Sequence, residues 1–74
     1  MIDQDKIREI LKESGLDIEP TTEDFEKPFA EIGLDSLDVF SFLSEIEVQL
    51  GKSFSEEEYG ELKNLNDVLK LLNS

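Results

Sequence analysis

The stretch that decides the fold is SLDVFSFLSEIEVQL, residues 36–50. With a helical step of about 100° per residue, five of its apolar side chains fall on one face about 100° wide, which is typical of a helix packed on a core. That face consists of Val39, Phe42, Leu43, Ile46 and Leu50. Gly51 follows directly, and we expect the helix to end there.

The opposite face of this helix is only partly polar. Its residues are Leu37, Ser41, Ser44 and Val48, with Phe40 on the flank and Asp38, Glu45 and Glu47 at the borders. An apolar strip edged by carboxylates predicts docking into a partner groove that has an apolar floor and Lys or Arg at its rims. Scattered exposed apolar residues are also common, and another helix could pack here, so the pattern alone leaves both interpretations open.

Three more helices are predicted outside this stretch. Residues 3–14 place apolar side chains at helical spacing, and Gly15 follows as a stop signal. Ser55, followed by three glutamates, forms a capping box that opens a short helix ending near Gly60. Asn64 caps a last helix with a strongly apolar face.

The segment between the first two helices, residues 16–35, lacks helical periodicity and contains Pro20, Pro28 and Gly33. Connections of this length are often functional, and this one has four apolar residues that can attach it to a core. They are Phe25, Phe29, Ile32 and Leu34. The pattern predicts an all-α single domain over residues 1–74, a small four-helix bundle with three longer helices, a short third helix and a long first loop.

The composition excludes several function classes. The 74 residues include 19 acidic and 7 basic side chains, a net charge of −12, and neither His nor Cys. Disulfides, thiolate zinc sites and imidazole catalysis are therefore excluded, and no metal site is expected. The charge repels nucleic acids and anionic lipids, so a partner should present basic residues. With no cationic leader and no long apolar run, we expect a monomer without a membrane span, in the cytoplasm or an organelle stroma.

The sequence GLDSLD, residues 33–38, delivers a serine to the first turn of the central helix. Asp35 is a good N-cap, so on local grounds Ser36 can be an ordinary first-turn residue. A phosphate ester at Ser36 would nevertheless be well placed, because free backbone N–H groups and the positive end of the helix dipole favour an anion there. The residues alone leave both possibilities open.

The stretch FAEIGLDSLDVFSFLSEIE, residues 29–47, resembles the core of an acyl carrier protein, whose modified serine lies in a Gly-x-Asp-Ser-Leu setting. The resemblance extends over nearly the whole chain, including SFSEEEYGELKNLNDVLKLL and the negative charge. It implies that Ser36 carries a 4′-phosphopantetheine, transferred from coenzyme A by a phosphopantetheinyl transferase. By the same resemblance, Asp35 and Leu37 adjoin the attachment point and face the transferase together with Asp38.

The resemblance further implies a carrier that holds acyl intermediates as thioesters on this arm and catalyses nothing itself. A chain without Cys must import its thiol, which agrees with that role. Its other partners would be acyl-transferring synthases or ligases with basic docking surfaces. The predicted docking residues are Asp35, Leu37, Asp38, Phe40, Ser41, Ser44, Glu45, Glu47 and Val48. The predicted lining of an acyl pocket, which could equally be plain core, is Phe42, Ile46, Phe54, Tyr59 and Leu62.

Four positions depart from the fatty-acid carriers of this family. Ser41 stands where an acid is usual, Ser44 where a methionine is usual, Phe40 replaces a small aliphatic residue, and Val48 replaces a second acid. These changes favour a specialised discrete carrier in a polyketide-like, modified-lipid or aminoacyl pathway, with ordinary fatty-acid synthesis as the next alternative. The alternative from another class is an acidic helical interaction module without a prosthetic group. It explains the charge, but not the serine, the missing thiol and the whole-chain likeness together.

Overall fold

A computed structural model describes every residue from Met1 to Ser74. The chain forms four helices and no strands: α1 Gln4–Glu13, α2 Ser36–Leu50, α3 Glu56–Glu61 and α4 Leu65–Leu72. The all-α prediction of three longer helices and a short third one is confirmed. None of these helices is long and apolar enough to cross a membrane.

Each helix begins at a side chain that accepts a hydrogen bond from a backbone N–H three residues further on. The four capping residues are Asp3, Asp35, Ser55 and Asn64. Such caps satisfy N–H groups that have no partner inside the helix, and each typically contributes about 1 kcal/mol. Gly51 ends α2 with a φ of 65°, a left-handed conformation that a residue with a Cβ rarely adopts.

The long first loop contains two 3₁₀ turns that the sequence pattern did not predict, Glu23–Glu26 and Phe29–Ile32. Arg8 holds this loop against α1, because its Nε donates to the carbonyl oxygen of Pro20 at 2.6 Å and its guanidinium lies 5.2 Å from the ring centre of Phe25. Phe25 is fully buried and Leu34 nearly so. The prediction that apolar residues attach the loop to the core is confirmed.

One cluster of buried hydrophobic residues forms the core, with members from α1, α2, α4 and the loop. They are Ile7, Ile10, Leu11, Phe25, Leu34, Phe42, Leu43, Ile46, Leu65, Val68 and Leu72. Helix α3 contributes no fully buried side chain and adds only the partly buried Tyr59. It is therefore the helix with the least core packing.

Candidate functional site

Ser36 is the first residue of α2 and is exposed to solvent. On either side of it, Asp35 Oδ1 accepts from the N–H of Asp38 at 2.8 Å, and Asp38 Oδ2 accepts from the N–H of Asp35 at 3.2 Å. This reciprocal cap fixes the first turn of α2 and leaves the Ser36 hydroxyl outside the hydrogen-bonded ring.

The Ser36 hydroxyl and the N–H groups of Ser36 and Leu37 make no hydrogen bond within the chain. Both N–H groups belong to the first turn, where the helix dipole is positive. A phosphodiester on Ser36 Oγ would therefore be close to two unpaired donors. The residues present at this position fit an esterified phosphate.

An open groove of about 540 Å³ lies beside Ser36. Its walls come from the second 3₁₀ turn, the start of α2 and α3, and they are mostly apolar. The lining residues are Phe29, Ala30, Leu34, Asp35, Ser36, Val39, Phe40 and Tyr59. An apolar group tethered to Ser36 would reach this groove directly.

Three aromatic rings form one wall of the groove and the surface behind it. Phe40 and Tyr59 are stacked with ring centres 6.5 Å apart, and Phe54 meets Tyr59 edge-on at 5.8 Å. Aromatic pairs at such distances contribute about 0.5–1.5 kcal/mol beyond the area they bury. These contacts join α2 to α3, which contributes no fully buried side chain to the core.

The five residues predicted to line an acyl pocket lie in different surroundings. Tyr59 lines the groove, whereas Phe42 and Ile46 are fully buried in the core. Phe54 is half-buried behind Tyr59, and Leu62 is half-buried at the end of α3. The structure brings only Tyr59 of this set next to Ser36, together with residues that were predicted to belong to the loop, the core face of α2 or the docking surface.

Glu47 has both carboxylate oxygens engaged within the chain. Oε2 accepts from the backbone N–H of Phe54 at 2.9 Å, and Oε1 accepts from the Tyr59 hydroxyl at the longer distance of 3.4 Å. Burial of Tyr59 raises its pKa above the ordinary value of 10.0, and the nearby negative charge and hydrogen bond of Glu47 raise it further. The Glu47 carboxylate therefore connects α2 to α3 and to the segment that precedes it.

The outward face of α2 carries three exposed apolar side chains, Leu37, Phe40 and Val48, which are 76%, 59% and 79% exposed. We call these three residues the outer strip. No other large hydrophobic side chain of the protein except Met1 is comparably exposed. Of the two interpretations that the pattern left open, packing by another helix applies only to Phe40, which is stacked on Tyr59 of α3, while Leu37 and Val48 stay open to solvent.

The charge on α2 is uncompensated. The helix contains Asp38, Glu45 and Glu47 and no basic residue. None of the three takes part in a salt bridge, since the four ion pairs of the chain lie in α1 and the first loop. Glu45 accepts a hydrogen bond from Gln49, which also donates to Glu13. The outer strip is thus bordered by negative charge without a local counter-ion.

Comparison with known proteins places these features in context. A family model described as the phosphopantetheine attachment site matches residues 4–72. A protein of Mycoplasma genitalium named acyl carrier protein homolog is 36% identical over 64 residues, which is 86% of this chain and 76% of the relative. A protein of the same name from Mycoplasma pneumoniae is 34% identical over 64 residues, with the same coverage of 86% and 76%. No solved structure matches the chain.

Proposed function

We propose that Ser36 is the residue to which the cofactor is attached. The premise is that this chain belongs to the acyl carrier protein family and that its cofactor is covalently bound 4′-phosphopantetheine. The observation that carries the proposal is the position of Ser36. It is an exposed hydroxyl without an internal partner, next to two unpaired N–H donors at the start of α2.

In the loading reaction that we propose, Ser36 Oγ attacks the pantetheine-bearing phosphorus of coenzyme A. A new phosphoester bond forms, the pyrophosphate bond breaks, and adenosine 3′,5′-bisphosphate leaves. The hydroxyl proton passes to a base of the transferase, because the carboxylates of Asp35 and Asp38 beside Ser36 already accept from backbone N–H groups. The bound group supplies a thiol for thioester chemistry, which a chain without Cys lacks.

The outer strip and its acidic border are the docking surface in this proposal. Leu37, Phe40 and Val48 would supply apolar contact, while Asp35, Asp38 and Glu45 would steer basic partners by long-range attraction. Ser41 and Ser44 lie on the same face and leave its centre uncharged. Glu47 was predicted to steer as well, and this stays a prediction beside its contacts with Phe54 and Tyr59.

We place an apolar cargo in the groove beside Ser36 rather than in the centre of the bundle. Phe42 and Ile46 are fully buried, so a cargo could reach them only if the packed core opened. The groove is already open and its wall includes Phe40 and Tyr59. A carrier of this kind would hold its cargo and deliver it to synthases or ligases without catalysing a reaction itself.

For the pathway, we favour specialised lipid, polyketide-like or aminoacyl metabolism over ordinary fatty-acid synthesis. The support is the altered face of α2, where Phe40 and Val48 replace a small aliphatic residue and an acid of typical fatty-acid carriers. A monomer working in the cytoplasm stays a prediction. The alternative hypothesis is an acidic interaction module without a prosthetic group, and the following test distinguishes it from a carrier.

The test is an intact-mass spectrum after incubation with coenzyme A and a broad-specificity phosphopantetheinyl transferase. We expect the wild type to gain the mass of one phosphopantetheine and Ser36→Ala to gain none. Ser53→Ala, which removes another exposed serine outside the helices, is the matched control and should load like the wild type. Circular dichroism establishes that each variant is folded. Loading of folded Ser36→Ala, or no loading of the folded wild type, overturns the assignment.

A further inference from the structure

Helix α3 depends on a few contacts for its position. It has six residues and no fully buried side chain, so the core does little to fix it. The residues that precede it, after the glycine that ends α2, contain no regular structure. Contacts from α2 to this segment and to α3 therefore fix the position of the Tyr59 ring.

Glu47 makes two of these contacts from the C-terminal half of α2. Its carboxylate accepts from the N–H of Phe54 at 2.9 Å, ahead of α3, and from the hydroxyl of Tyr59 at 3.4 Å, inside α3. The first bond fixes the backbone of the connection, and the second restrains the ring that lines the groove. The charged acceptor strengthens the 2.9 Å bond to the Phe54 N–H, while the 3.4 Å contact with the Tyr59 hydroxyl is long for an O–H···O bond and contributes less.

The effect reaches Ser36 through the aromatic rings. Tyr59 is stacked on Phe40, and both rings line the groove that begins at Ser36. Glu47 itself does not line the groove, so it would touch no group held there. Any influence on a cargo must pass through the position of Tyr59.

We propose that Glu47 is a positioning residue that holds Tyr59 against Phe40 and so keeps the groove beside Ser36 in a form that accepts an apolar acyl group. This inference rests on the proposed function, because the acyl group reaches the groove on a phosphopantetheine arm attached at Ser36. It assigns Glu47 an internal role in addition to any part in steering partners. A nearby acid whose side chain makes no hydrogen bond would lack this role.

The experiment compares thermal unfolding of each variant with and without a cargo. Wild type, Glu47→Ala and Glu57→Ala are loaded from coenzyme A or from octanoyl-coenzyme A, and loading is verified by intact mass. The quantity of interest is the increase in Tm that the octanoyl group causes. A purely structural loss lowers the Tm of both forms and leaves this increase unchanged, whereas a distorted groove reduces the increase itself.

We expect the octanoyl group to raise the Tm of the wild type and of Glu57→Ala alike. Glu57 is a charge-matched control, since it is exposed on α3 and makes no side-chain hydrogen bond or salt bridge. In Glu47→Ala at least half of the increase should be lost. Glu47→Gln should retain it, because an amide oxygen still accepts from the Phe54 N–H and the amide N–H₂ can donate to the Tyr59 oxygen.

The outcomes separate this inference from the proposed function. Failure of the folded wild type to load at all overturns the attachment at Ser36. Normal loading, with the full increase kept in Glu47→Ala or with no increase in the wild type, overturns the positioning role of Glu47 alone. The same holds if Glu47→Gln loses the increase as Glu47→Ala does.

Discussion

Asp35 and Asp38 cap each other across Ser36, with N···O distances of 2.8 and 3.2 Å. The backbone on both sides of the serine is thereby fixed. The hydroxyl of Ser36 and the backbone N–H groups of Ser36 and Leu37 make no hydrogen bond. The two carboxylates also place negative charge next to the hydroxyl. A single pair of residues thus determines the shape of the turn that contains Ser36 and part of its electrostatic field.

Removing the capping side chain should destabilise the fold, whereas removing only its charge should not. Asp35→Ala deletes the acceptor for the Asp38 N–H and is expected to lower the free energy of unfolding by about 1 kcal/mol. Asp35→Asn keeps a side-chain oxygen of nearly equal capping strength. Urea unfolding of both variants measures the difference. Equal destabilisation by Ala and Asn would mean that charge, and not the cap, stabilises this turn.

Two phenylalanines of α2 should respond very differently to truncation. Phe42 is fully buried, and Phe42→Ala is expected to lose about 3–5 kcal/mol, as much as a domain of this size usually has. Phe40 is 59% exposed and is stacked on Tyr59, so Phe40→Ala should lose only about 1 kcal/mol. We expect the first variant to be largely unfolded by circular dichroism and the second to be folded. A folded Phe42→Ala would contradict the core assignment.

The outer strip should matter for partners and not for folding. Leu37 is 76% exposed, so Leu37→Ala should change the free energy of unfolding by no more than about 0.5 kcal/mol. Where the transferase packs on this side chain, its kcat/KM for loading the Leu37→Ala variant should be at least about fivefold lower than for the wild type. This factor corresponds to about 1 kcal/mol of lost contact. Steady-state loading with coenzyme A measures this. An unchanged kcat/KM would remove Leu37 from the docking surface.

Local sequence signals predicted both limits of α2 and its two faces. Asp35 is a side-chain cap, Gly51 permits a left-handed stop, and the apolar stripe repeats within the helix, so its limits and its exposed residues followed from neighbours in the chain. The groove beside Ser36 could not be predicted from such local signals. Phe29 and Tyr59 come together beside Ser36 from segments far apart in sequence, and only tertiary packing creates that proximity.

Glu47 illustrates the same difference. The helical angle predicted its place at the border of the outward face, but its bond to the Phe54 N–H depends on how the chain turns after Gly51. The two 3₁₀ turns escaped prediction because each covers only four residues, too few for a periodic pattern. Proline and glycine signals indicated where a long helix was impossible, not which short turns replace it.

Net charge should make stability depend on salt. With a net charge of −12 in 74 residues, repulsion between carboxylates opposes the folded state, and the three acids of α2 have no ion-pair partner. Added NaCl screens this repulsion, so Tm should rise from low to moderate ionic strength. Differential scanning calorimetry across a salt series measures the change. A Tm that stays constant or falls would show that the charges are too well hydrated to oppose folding.

Tyr59 should report its contact with Glu47 through its titration. Burial, then the charge and hydrogen bond of Glu47, raise the pKa of Tyr59 above 10.0, so the folded state favours the neutral phenol. This contribution to stability is complete below about pH 10 and is lost as pH rises through the folded-state pKa. Tyr59 is the only tyrosine and the chain has no tryptophan, so the change of near-ultraviolet absorbance with pH follows this phenol alone. Glu47→Gln removes the charge and should lower the midpoint while leaving it above 10.0, because burial is the larger cause. Glu57→Gln is the control that should leave the midpoint in place, and an equal shift in both variants would mean that Tyr59 senses net charge and not its contact with Glu47.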